Sequence, residues 1–397
     1  MSTAAHEANG LAELSGYVSP EFCTALTQEL LACMYNDHCD NIDYDRFSDL
    51  KPPNGIRYWF RERLKSFASR NKFHLLKDEY GYSPSLFGQL KPYLGGYSWL
   101  YHQLADDVSR QLWLKLLAYR VLGPNRVRLS INTLQYRESL AQVKKAASAT
   151  DQIPIRFMNW RLPLIDLHSM GIPVRLYCMP LGVQCTFICQ QYRYPWSSPP
   201  IEARTGETVI DCGGCWGDSA LYFANAVGPS GRVLTMEFIP TNLDVLRKNL
   251  ALNPKLSPSV TVIEAPVGER SGITFYSQDN GPGSRVSSTP SPELNLSCES
   301  VSIDDLVDRQ NLSEVHFIKM DIEGAEQSAL RGAERTIRRF RPKLAIAVYH
   351  SPADYSMIPQ WLDQLGLGYR FTMDHFTIYG EETILFAEVP SDLANRM

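Results

Sequence analysis

The chain lacks any run of about 18 apolar residues, so it offers no candidate for a membrane-spanning helix. It also lacks a basic excess. Its 39 Lys and Arg stand against 43 Asp and Glu, a net charge of −4, and nothing in that balance points to a nucleic-acid partner. No internal repeat and no extended low-complexity segment occurs. The opening "MSTAAHEANGLAELSG" has neither a basic flank nor a long apolar stretch, so a secretory signal is not expected. The cysteine count, 9, is odd and comes without an export signal, which reads as reduced thiols in a cytoplasmic protein. Cys212 and Cys215 form a C-x-x-C pair, but no second pair completes a zinc site. Cys185 and Cys189 lack the third cysteine of an iron–sulfur loop, because Tyr192 stands in its place. Both pairs read as small buried residues.

What is present is ordinary globular material. The 397 residues are 44% hydrophobic and 21% charged, enough for a large core and for two or three domains. Residues 1–150 read as a mainly helical accessory region. Apolar residues recur at helical spacing over 21–37, and over 98–123 as one long pattern ending at Gly123-Pro124. Residues 151–200 read as a short β-rich connecting segment. The β-branched and aromatic run 171–194 is expected to give two or three strands, and "PWSSPP" (195–200) marks the boundary. From 201 to 397 strands and helices alternate, which predicts a mostly parallel sheet covered on both faces. The Ser/Pro/Gly-rich stretch 279–297 reads as a long surface loop in that domain.

"VIDCGGCWGDS" (209–219) joins the first strand of this domain to its helix. Gly213, Gly214 and Gly217 allow a tight turn and close approach to a ligand. Several nucleotide folds use such a loop, and the acids decide among them. Asp211 ends the strand and Asp218 starts the helix. Two carboxylates would repel a pyrophosphate, and Trp216 is expected to crowd it. A cationic ligand with an amino group and a sulfonium fits better, and S-adenosylmethionine is that ligand. Glu237 ends the next strand, where a carboxylate can accept both ribose hydroxyls. Phe238 and Asn242, just beyond it, join Asp211, Glu237 and the three glycines as cofactor-binding candidates. For either acid alone, a helix cap or a solvated charge is as good a reading. Correctly spaced together, they favour a nucleoside site.

"IKMDIEGAE" (318–326) places Asp321 at the end of another strand on the same ligand face, with Glu323 in the loop and Glu326 in the first helical turn. Glu326 reads as a complement to the helix dipole. Asp321 and Glu323 are candidates to orient an acceptor or to hold a divalent metal, Mg or Mn, although Glu323 reads equally as a solvated charge. The next strand ends in "AVYHSPADY", so His350 is expected to emerge beside Asp321. A lone histidine is more often structural. One at a strand's carboxyl end next to a carboxylate is a general-base candidate, and His350 and Asp321 are the catalytic pair expected here.

With these residues in place the chain resembles the FkbM family of S-adenosylmethionine-dependent methyltransferases. The resemblance rests on "VIDCGGCWGDSALYFA" (209–224), "IKMDIEGAEQSALRGAE" (318–334), "PKLAIAVYH" (342–350) and "EETILFA" (381–387). It covers roughly residues 200–390, about half the chain, and "MDIEGAE" is its most specific string. It implies an α/β class I methyltransferase fold with a Rossmann-like, mostly parallel seven-stranded sheet. It also implies O-methylation of a hydroxyl on a sugar, glycan or secondary metabolite. The expected partner is therefore a small-molecule or carbohydrate acceptor, with neither nucleic acid nor membrane. The N-terminal region is expected to cap the active site or to build a homo-oligomer interface. N-methylation, or a catalytically inactive methyltransferase fold that only binds, are the alternatives.

Overall fold

The structure, a computed structural model, describes residues 16–34, 36, 41 and 90–390. The helical expectation over residues 1–15 and 42–89 lies outside the described residues.

The chain divides into two compact units. The first holds the described residues up to 101 together with 110–132 and 377–380. Its helix α1, Pro20–Met34, buries Phe22, Leu26 and Cys33. The Ser19 amide ahead of that helix donates to Ser98 Oγ at 3.0 Å. Trp113 is fully buried, stands edge-on to Tyr97 at 5.0 Å and donates its indole N–H to the Tyr97 carbonyl. The expected single helix over 98–123 is in fact two, α2 (Leu94–Gln103) and α3 (Asp107–Leu122). The break has a local cause. Asp106 accepts a hydrogen bond from the Ser109 amide at 2.8 Å, a capping bond that starts a new helix.

The second unit holds 102–109, 133–376 and 381–390. It begins with helix α4 (Leu134–Ala146), capped by Thr133, and an antiparallel sheet of β1 (Ala147–Pro154), β2 (Arg161–Asp166) and β3 (Arg175–Tyr177). Within 171–194 only β3 is a strand. Pro180–Val183, here α5, and the wide turn Gln184–Ile188 are helical, because Pro180 starts a helix and Val183 and Phe187 then fall on its buried side.

The main sheet has seven strands in the order β11-β12-β10-β9-β4-β5-β6. They are β4 (Thr208–Cys212), β5 (Arg232–Met236), β6 (Val260–Ile263), β9 (Phe317–Met320), β10 (Lys343–Ala347), β11 (Arg370–His375) and β12 (Thr383–Glu388). Neighbours from β10 to β6 are parallel, and β12 alone runs against its neighbours. The expected mostly parallel, Rossmann-like sheet is therefore present. A short hairpin, β7 (Thr274–Ser277) with β8 (Leu296–Glu299), frames the loop expected over 279–297. Helices α6 (Asp218–Val227), α7 (Pro240–Leu252), α8 (Ile303–Arg309), α9 (Glu326–Arg331), α10 (Glu334–Phe340) and α11 (Asp354–Gln364) complete the alternation.

Two asparagines join the small sheet to the large one. Asn249 and Asn253 lie four apart, on one face of α7 and just past its end. Each side-chain amide both accepts from and donates to the β3 backbone, Asn249 at Tyr177 and Asn253 at Arg175. They give the edge strand a substitute partner where no strand lies beside it.

Chain order reverses at β4, which has β5 on one side and β9 on the other. In open α/β sheets, the crevice beyond the carboxyl ends of strands at such a switch point is where ligands bind. The loops after β4 and β9 meet there.

Candidate active site

The parallel register aligns Thr235 of β5, Asp211 of β4 and Lys319 of β9 in one row across the sheet. Their side chains satisfy one another. Asp211 accepts from Ser219 Oγ at 2.9 and 3.1 Å and from Thr235 Oγ1 at 2.8 Å, and its Oδ1 lies 3.2 Å from Lys319 Nζ. Lys319 also donates to the Gly213 carbonyl at 2.6 Å. Its side chain is 2% exposed and that of Asp211 is 0% exposed. Burial opposes the Lys319 charge, but Asp211 and then Asp321 outweigh it and hold the ammonium above its ordinary pKa. Asp211, a cofactor-binding candidate, thus has its carboxylate engaged inside the sheet, and Lys319 links it to the glycine loop.

That loop is built on backbone proximity. A Cβ on Gly213, whose φ is +87°, would collide with the Asp321 carbonyl oxygen. A Cβ on Gly214 would strike Thr235 Oγ1. Gly213→Ala is therefore expected to destabilise the protein by roughly 2 kcal/mol or more, from left-handed strain plus overlap with backbone. Denaturant unfolding measures this, and a loss near zero would mean the two loops are not held against each other. Gly217 φ is +84°, with Leu246 packed under it. Trp216, expected to crowd a ligand, is 6% exposed and packs with Val183, Phe187, Leu221 and Val245.

At the end of β5 the Glu237 carboxylate curls over the start of α7. Its Oε1 accepts from the Phe238 and Ile239 amides at 2.7 and 2.8 Å, and its Oε2 accepts from Asn242 Nδ2 at 3.3 Å. Burial pushes its pKa up to about 6 against those donors. Asn242 also donates to the Gly281 carbonyl at 3.2 Å, and its own Oδ1 is buried without a hydrogen-bond partner. Glu237, Phe238 and Asn242 thus come together, with Asn242 bonded to the 281–283 turn.

At the end of β9 the acids gather around His350. Its Nε2 lies 3.5 Å from Asp321 Oδ1 and 3.8 Å from Glu323 Oε2, and its Nδ1 lies 2.9 Å from Glu326 Oε1. The ring N–H vectors do not aim at these oxygens, so the contacts are ion pairs, not well-formed hydrogen bonds. The His350 side chain is only 4% exposed. Burial works against its charge, yet Glu326, Asp321 and Glu323 together raise its pKa to about 10. His350 was expected to act as general base. The three carboxylates favour a protonated ring, which as a cation holds them together and offers a lone pair only once that proton leaves. Glu323 is pushed up to about 7 by burial, with His350 opposing and Asp321 adding. Its backbone φ is +57°, a left-handed conformation unusual for glutamate, and Arg285 approaches within 4.0 Å.

Sequence reasoning missed three contributors here. Lys319 sits mid-strand among apolar residues. Glu326 was read as a dipole complement, but it is fully buried and caps the loop by accepting from the Ile322 amide at 2.9 Å. Tyr349 donates to Asp321 Oδ1 at 3.3 Å, and burial lifts its phenol well above its ordinary pKa. Adjacency of Tyr349 to His350 was the available signal. The expected metal pair, Asp321 with Glu323, is also revised. Among the described residues the set whose ligand atoms all lie within 4.8 Å of one another is Asp321, Glu326 and His350.

The chain was compared with known proteins. No curated protein matches it. Among solved structures, the methyltransferase FkbM from Methylobacillus flagellatus KT aligns at 20% identity and TM-score 0.48, covering 76% of this chain and 60% of that one. The chain therefore spans less than two thirds of that protein's length. Fibrillarin from Aeropyrum pernix, solved with natively bound S-adenosyl-L-methionine, aligns at 15% identity and TM-score 0.31, covering 48% of this chain and 70% of that one. A SAM-dependent methyltransferase from Aquifex aeolicus aligns at 16% identity and TM-score 0.30, covering 48% and 86%. The family comparison matches residues 211–371 to the model described as the methyltransferase FkbM domain.

Proposed function

We propose that the protein is an S-adenosylmethionine-dependent methyltransferase that methylates a hydroxyl of a small molecule or carbohydrate. The observation that carries this reading is the pairing of two half-sites at the switch point of the sheet. Glu237 and Asn242 stand on one side, and Asp321, Glu323 and His350 on the other. Asn242 Oδ1 is buried and unpartnered beside the Glu237 carboxylate, so it has acceptor capacity for a nucleoside. The acids make the crevice hospitable to a sulfonium and hostile to a pyrophosphate. S-adenosylmethionine supplies an electrophilic methyl group when bound. The chain supplies orientation and a destination for the acceptor's proton. The Asp321 and Glu323 carboxylates, steadied by the His350 cation, are that destination. An acceptor amine would need a free lone pair, and so many carboxylates favour its protonated form, so the hydroxyl reading stands ahead of N-methylation.

Calorimetry on the full chain tests the cofactor. S-adenosylmethionine should bind and nicotinamide dinucleotides should not. Hydrogen bonds to a charged group contribute roughly 1.5–3 kcal/mol, so Glu237→Ala should weaken binding about tenfold or more. The pH dependence follows from burial. Ribose hydroxyls donate to the ionised carboxylate, and Glu237 titrates at about 6. Affinity should be flat above that pH and fall about tenfold per pH unit well below it. Glu237→Gln should lose that acid limb. Unchanged affinity in both variants, with the fold intact, rejects the placement.

A further inference from the structure

We propose that Asp321, Glu326 and His350 form a binding site for one divalent transition-metal cation, of the Mn(II) class. The inference rests on the function proposed above only for the site's place beside the acceptor, because cation binding itself does not require it. The ligand atoms lie within 4.8 Å of one another, each from a different turn or strand end. A cation bonded at about 2.1 Å to each ligand spans atoms up to roughly 4.2 Å apart. The 3.5 Å separation of His350 Nε2 and Asp321 Oδ1 already fits.

Unmet demand inside the cluster points the same way. Glu326 is 0% exposed, and its Oε2 has no hydrogen-bond partner. Asp354, 3% exposed at the start of α11, also has a buried unpartnered oxygen, Oδ2, while its Oδ1 accepts from Gln327. Neither ring nitrogen of His350 has a well-formed hydrogen bond. A buried carboxylate oxygen without a donor is costly, and most such atoms in proteins are paired or bound to an ion. The charge count agrees. Asp321, Glu323, Glu326 and Asp354 are four acids, and the cations facing them are the His350 ring, the Lys319 ammonium already engaged by Asp211, and the distant tip of Arg285. A divalent ion, which releases the His350 ring proton to solvent and takes the freed lone pair, corrects that imbalance. Two carboxylates with one imidazole suit Mn(II) better than Mg(II), which prefers oxygen ligands alone. Placed there, the ion lowers the pKa of an acceptor hydroxyl that reaches it, and the hydroxyl proton passes to solvent or to Glu323.

The test is Mn(II) titration of the full-length protein after chelation, followed by electron paramagnetic resonance. One ion per chain should bind with micromolar affinity. Glu326→Gln and His350→Gln should each weaken it at least tenfold, as expected when a ligand is removed, and Mg(II) should compete poorly. Glu326 is buried and its variant could unfold, so Asp321→Asn, on the crevice side, serves as the second variant, with melting temperature recorded for each. Saturation only at millimolar metal, or micromolar binding that survives all three substitutions, overturns the site. In that case the His350 proton, and not a metal, holds the carboxylates. S-adenosylmethionine affinity of the metal-free protein is measured alongside. If the cofactor binds and Mn(II) does not, only this inference falls. If the cofactor itself fails to bind, the proposed function falls.

Discussion

Lys319→Met is expected to destabilise the fold by about 3–5 kcal/mol, the usual result of stripping the partner from a buried charge. The side chains of Lys319 and Asp211 are 2% and 0% exposed, so neither can turn to water. Without the ammonium, Asp211 keeps the Ser219 and Thr235 hydroxyls but carries an uncompensated charge in the middle of the sheet. The double substitution Lys319→Met with Asp211→Asn should recover much of the loss, because it removes both charges. Denaturant unfolding reads both outcomes. A single-variant loss under about 1 kcal/mol would mean that water reaches the pair. The effect extends to the ligand, because Lys319 Nζ also holds the Gly213 carbonyl. The glycine loop should loosen, and S-adenosylmethionine affinity should drop with it.

Much of this architecture was legible from residue order. Parallel strands buried on both faces read as mainly apolar runs, and "TVIDC" and "FIKM" are such runs, interrupted only by Asp211 and Lys319 and leading into the site loops. The contact of Glu237 with Asn242 was legible because the helix after β5 starts within reach of its end. What escaped notice depends on pairing across the sequence. Lys319 in an apolar strand looks anomalous until the register sets it beside Asp211, 108 positions away. Asp211 looked like a ligand-facing acid because nothing in its own segment reveals that partner. His350 read as a base because its neighbour Asp321 was foreseen. The buried Glu326 on its other nitrogen was hidden in a helical turn where an acid already has a simpler reason to stand. The helix break at 104–106 was missed because a capping aspartate can also sit inside an amphipathic pattern.

Asp321→Asn is expected to lower turnover by about 10²–10⁴-fold while cofactor affinity stays near that of the parent. The carboxylate lies at the end of β9, where Tyr349 donates to it and His350 faces it. Asparagine keeps the shape and the Tyr349 hydrogen bond but cannot take a proton and is a poor cation ligand. The loss is thus expected whether Asp321 receives the acceptor's proton itself or holds an ion that acidifies the hydroxyl. Two further measurements separate those routes. Activity that survives a chelator leaves the carboxylate as proton acceptor. Activity abolished by chelator and restored by Mn(II) assigns the work to the ion. His350→Gln separates charge from proton transfer. If the ring acts as a fixed cation, the variant loses turnover because the carboxylates it steadied repel one another, and moderate acid, which neutralises one of them, should restore part of the rate. If the ring is instead the base, acid cannot help, because relieving the carboxylates of charge does not replace the lost proton acceptor. Full turnover in Asp321→Asn would remove the carboxylate from the chemistry, and alignment of acceptor and methyl donor would then have to carry the rate alone.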